Sequence, residues 1–119
     1  PLTASPQKTL IGTWIEANGD GLVLKANKNA DIITNGWYIK TPGGGNNIPD
    51  GMAMEDGVLA RGKMVWHYQG NKEGGNVFLT LDNFDSNLGK RMNFGVRFIN
   101  DKKAIFLFQG DAMVCQKIK

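Results

Sequence analysis

The stretch Leu10-Ile11-Gly12-Thr13-Trp14 decides how this chain is read. A glycine two residues before a tryptophan, at the start of an apolar run, lets a first strand bend sharply. The tryptophan then offers a ring large enough to close one end of a small barrel. Downstream of it the chain contains only short apolar-alternating segments separated by turn residues. Asn18-Gly19-Asp20-Gly21 and Ala26-Asn27-Lys28-Asn29 carry the Gly and Asn that hairpin turns select. No window sustains a helical period over the ~11 residues that would identify a helix.

Strands are expected over residues 10–16, 21–25, 30–40, 57–61, 63–69, 76–82, 91–99, 104–109 and 112–117. That is eight or nine strands spaced by about ten residues, the rhythm of a sandwich or barrel. Arg91 to Ile99 alternates cleanly, with Met92, Phe94, Val96 and Phe98 on one face and Arg91, Asn93, Gly95 and Arg97 on the other. Val77, Leu79 and Leu81 repeat the pattern. Trp66 and Tyr68 share a face, which puts His67 on the solvent side. Ile105-Phe106-Leu107-Phe108 is apolar on both faces, so its outer side also calls for cover. Sequential antiparallel strands leave edges that closure removes, and eight strands close around packed side chains or one small ligand.

The 119 residues make one domain: a tether over residues 1–9, with a short helical turn signalled by Ser5-Pro6, and a β-barrel over 10–119. Formal net charge is +3, and no segment interleaves Lys and Arg with aromatics, so the signature of nucleic-acid binding is missing. One cysteine, Cys115, rules out an internal disulfide. No apolar run approaches the ~20 residues of a membrane-spanning helix. The start at Pro1, followed by small polar residues, reads either as the remnant of a removed leader or as a trimmed beginning.

The layout resembles the lipocalin-like domains of the calycin group, in their short bacterial form. The likeness is carried by Gly12 and Trp14, by the second strand and turn from Leu22 to Ala30, and by the closing segment Val114-Cys115-Gln116-Lys117-Ile118-Lys119. It implies an all-β, antiparallel up-and-down barrel of eight or nine strands, here without a C-terminal helix. It implies Gly12, Trp14 and Lys117 as a structural plug, the lysine lying over the indole. It also implies a secreted, periplasmic or envelope-anchored protein.

Chemistry-bearing residues are few. His67 is the only histidine, no calcium, zinc or phosphate-loop spacing occurs, and Glu16 is the one carboxylate on the tryptophan's strand. An enzyme, a cofactor and a metal are therefore not expected. Two roles remain. In the first, the barrel holds a small apolar ligand lined by Trp37, Trp66, Tyr68, Phe94 and Phe98. In the second, a packed barrel binds a protein partner, as an inhibitor, an immunity factor or an envelope-complex subunit. Residues 41–56, with three consecutive glycines and the adaptable Met52 and Met54, read as a lid over the barrel mouth, as a partner-contact loop or as a tolerated surface insertion.

Overall fold

The computed structural model describes residues 2–17, 19–33, 58–73, 76–83 and 91–118. It is an eight-stranded antiparallel barrel in up-and-down order, closed by pairing of the first strand with the last. A short helix α1 (Pro6–Leu10) precedes β1 (Gly12–Glu16), β2 (Gly21–Leu24), β3 (Asn29–Ile33) and β4 (Val58–Glu73). Then come β5 (Asn76–Asn83), β6 (Arg91–Asn100), β7 (Lys103–Phe108) and β8 (Asp111–Lys117). None of the described helices is long and apolar enough to cross a membrane.

Local chemistry explains how the chain enters the barrel. Ser5 caps α1, its hydroxyl accepting from the Lys8 amide at 3.2 Å, and Pro6 occupies the first helical turn. Thr3 fastens the preceding segment by donating from its amide and its hydroxyl to the Asp101 carboxylate, at 3.0 and 2.6 Å. Those bonds hold the Asp101 carboxyl below its ordinary range. Gly12 then takes φ 145°, a conformation side chains with a Cβ rarely adopt, and the chain turns from helix into β1.

One expectation changes. The segments 57–61 and 63–69 are not separate strands but parts of the single 16-residue β4. Its first half pairs with β3, through Val58 to Val65, and its second half with β5, through Met64 to Glu73. Of the strand expected over 30–40, the described part is β3, ending at Ile33; Trp37 lies outside the described residues.

The inward face follows the alternation. Val77, Leu79, Leu81, Phe94, Val96 and Phe106 are buried in one core cluster with Trp14, Trp66, Leu22 and Leu24. Leu10 of α1 joins the same cluster, so the helix seals the base of the barrel.

Candidate functional site

The two described tryptophans both close one end of the barrel. Trp14 has no exposed surface and its indole nitrogen donates to the Leu10 carbonyl at 2.9 Å. Its ring meets Phe106 edge-on at 5.4 Å and Phe98 at 6.4 Å. Lys117, its cross-strand partner, places Nζ 5.3 Å from the ring centroid. Trp66 repeats the arrangement. It is fully buried, its indole nitrogen donates to the Lys25 carbonyl at 2.9 Å, and Lys28 Nζ lies 4.3 Å from its centroid. An ammonium over an indole is attracted by the ring's electron-rich face. Burial, aided by Lys102 nearby, pulls the Lys117 ammonium below its ordinary pKa, while Asp101 works the other way.

The opposite end is where Gly21, Ile33 and Val58 lie in register, and where β7 turns into β8. A cavity of about 170 Å³ opens there. Phe94 and Phe108, stacked at 4.8 Å, form one wall together with Met92 and Met113. Leu22 and Ile32 line it from β2 and β3. Phe106 is its floor and separates it from Trp14. Cys115 also borders it, and burial, with the Glu16 charge as a smaller cause, pushes that thiol up to about 12. Among the described residues, Asp20 is the single charged one of the lining.

Gly21, at the rim, is fixed by close approach. A Cβ there would run into the Trp14 carbonyl of the neighbouring strand. The tight crossing of β1 and β2 at the mouth therefore depends on the absence of a side chain.

Of the five residues expected to line a ligand cavity, Phe94 does so. Trp66 is the second plug, and Phe98 packs against Trp14 at the closed end. Tyr68 is half-buried against the core and is not part of the cavity lining. Trp37, Met52 and Met54 lie outside the described residues. The lining that sequence reasoning missed includes Phe108, Met113 and Cys115. The alternation of β7 and β8 carried the signal for their inward direction.

On the outer surface, charged side chains of β4, β5 and β6 meet. Asp82 accepts from Arg91 Nε at 2.7 Å and Nη2 at 3.3 Å, and His67 Nε2 sits 3.5 Å away. The Arg91 hydrogen bonds hold the Asp82 carboxyl below its ordinary range and push the guanidinium up. His67 faces solvent, its side chain 54% exposed. Asp31, buried on β3, meets Lys25 Nζ at 3.3 Å through one oxygen, and its other oxygen has no hydrogen-bond partner among the described residues. Among the described residues no three His, Cys, Asp or Glu side chains converge as a metal site would require.

Compared with known proteins, the chain matches no family model, no curated protein and no solved structure.

Proposed function

We propose that the protein is a binding barrel whose cargo is a small apolar molecule held at the end opposite the tryptophan plugs. The observation that carries this reading is the cavity of about 170 Å³, lined by aromatic, aliphatic and sulfur-bearing side chains with one carboxylate at the rim. Binding pockets have this character: mostly apolar, with few polar groups to orient the occupant. Size sets the class of cargo. An apolar cavity of about 150 Å³ accommodates benzene, whereas drug-sized ligands need roughly 300 Å³ or more. The occupant is thus a single ring or a short alkyl chain. The paired plugs, each a tryptophan under a lysine, support the lipocalin-like likeness, because a barrel closed at one end and hollow at the other is a container.

Benzene, indole and fatty acids of increasing length are the test ligands, followed by amide and methyl chemical shifts. Benzene or indole should shift Phe94, Phe108 and Met113 and leave the Lys28–Trp66 region unmoved. Met113→Trp should abolish those shifts while the barrel stays folded. Absence of binding by every ligand in the series, at millimolar concentration, would refute the container reading.

A further inference from the structure

The two ends of the barrel differ in charge. Described lysines gather at the plugged end. Lys28 and Lys117 lie over the two indoles, and the carbonyls of Lys25 and Lys102 accept from the Trp66 indole and the Lys117 amide. Lys8 belongs to α1, which seals the base. Two carboxylates accompany them: Asp31, paired with Lys25, and Asp101, tied to Thr3.

At the mouth the balance is acidic. Asp20 borders the cavity just before β2, and its carbonyl accepts from the Glu16 amide at 2.9 Å. That bond sets Glu16, the last residue of β1, beside it. Glu16 pairs with Cys115 of the cavity lining, and its charge helps to push that thiol up. Asp111 opens β8 and pairs with Phe108 of the cavity wall. Arg91, the residue before Met92, is a described cation at this end, and Asp82 holds it through two hydrogen bonds on the outer face. Among the described residues no basic side chain lines the cavity.

We propose that the cargo is a small aromatic amine, its ring inside the cavity and its ammonium at the rim with Asp20; this rests on the container reading above. The site divides such a ligand in two. Phe94 and Phe108 offer aromatic surface to a ring, and Met92 and Met113 offer polarisable sulfur. Asp20 is only half-buried, so an ammonium beside it keeps water on its outer side and escapes the cost of full burial. Asp20 has a contact of its own, but a carboxylate offers about four lone-pair sites and accepts from several donors at once. A ring bearing a carboxylate would bring like charge towards Asp20 and Glu16, which repels it. A neutral ring makes the same apolar contacts and gains nothing from the acidic mouth.

The test compares three ligands of similar shape: benzylamine, benzyl alcohol and benzoate. Each is titrated at neutral pH, where the amine is charged, and followed by the shifts of Phe94, Phe108 and Met113. Benzylamine should bind about fivefold more tightly than benzyl alcohol at low salt, the upper end for an ion pair in contact with water. Benzoate should bind least tightly. High salt should shrink the amine-to-alcohol ratio. Asp20→Asn should bring that ratio to about one, and Glu16→Gln should lower it by a smaller factor. Far-ultraviolet circular dichroism checks that each variant keeps the barrel. A ratio of one or less, a ratio indifferent to salt or to Asp20→Asn, or benzoate binding as tight as that of benzylamine overturns the amine. The container reading survives those results as long as benzyl alcohol binds. No binding by any of the three, nor by benzene, overturns both.

Discussion

Replacing Trp14 by alanine removes a ring with no exposed surface, and the structure says what else goes with it. Edge contacts to Phe106 and Phe98 are lost, and the Leu10 carbonyl loses its donor. Truncation of a buried aromatic costs about 3–5 kcal/mol. That is a large share of the roughly 5–15 kcal/mol that stabilises a domain of this kind. Trp14→Phe separates the causes. It keeps much of the ring but leaves a buried carbonyl unpaired, at about 1–3 kcal/mol. Lys117→Met tests the ammonium. Burial opposes its charge while the indole attracts it, so the single substitution should be close to neutral. In a double-mutant cycle with Trp14→Phe or Trp14→Ala, a coupling of about 0.5–1 kcal/mol should emerge. Guanidinium denaturation at neutral pH, read by far-ultraviolet circular dichroism, supplies every number. A loss below about 1 kcal/mol for Trp14→Ala would refute the plug, because no fully packed ring of that size can be removed so cheaply.

Other substitutions have equally definite outcomes. Gly21→Ala should cost about 3 kcal/mol or more, since the added carbon meets backbone that cannot give way. Gly95→Ala should be neutral or stabilising by up to about 1 kcal/mol. Its Cβ would rest at 3.5 Å from Leu107 and Phe78, and alanine restrains a strand better than glycine. Cys115, with its thiol pushed up to about 12, should resist a thiol reagent at pH 8 in the native state and react fully in denaturant. Asp82 has its carboxyl lowered by Arg91, so the pair's contribution is present above the ordinary value near 3.8 and is lost as pH falls through the lower folded value. Asp82→Asn should therefore make acid unfolding below about pH 4 less steep, as measured by denaturant midpoints across a pH series. The exposed Arg91 keeps that effect small.

The barrel's strand pattern was legible because alternation is a local property. Met92, Phe94, Val96 and Phe98 face inward as the spacing demands, and Gly12-x-Trp14 marks where the first strand begins. Height along the barrel is not local. Alternation places Phe94 and Phe98 on the same face, yet one lines the cavity and the other packs on the plug. Only the register of β6 against β7 separates them. Trp66 shows the same limit. Its inward direction follows from β4, but the carbonyl that takes its hydrogen bond belongs to Lys25, 41 residues away. Continuity of β4 was hidden for a related reason. Gly62 reads as a break, whereas the two halves of the strand are held by different neighbours, β3 and β5. Local sequence carries no record of which neighbour supports which half.

The same alternation lets the cavity be tested on adjacent residues. On β8, Met113 lines the cavity and Val114 stands on the outer face, neighbours in sequence yet on opposite sides of the sheet. Met113→Trp fills the interior and should abolish benzene binding, whereas Val114→Asn should leave it unchanged. Nuclear magnetic resonance shifts on the two variants read both effects, and circular dichroism checks that the barrel is intact. If Val114→Asn removes benzene binding as well, the shifts do not report occupancy of the interior, and the placement of the cargo inside the barrel is refuted.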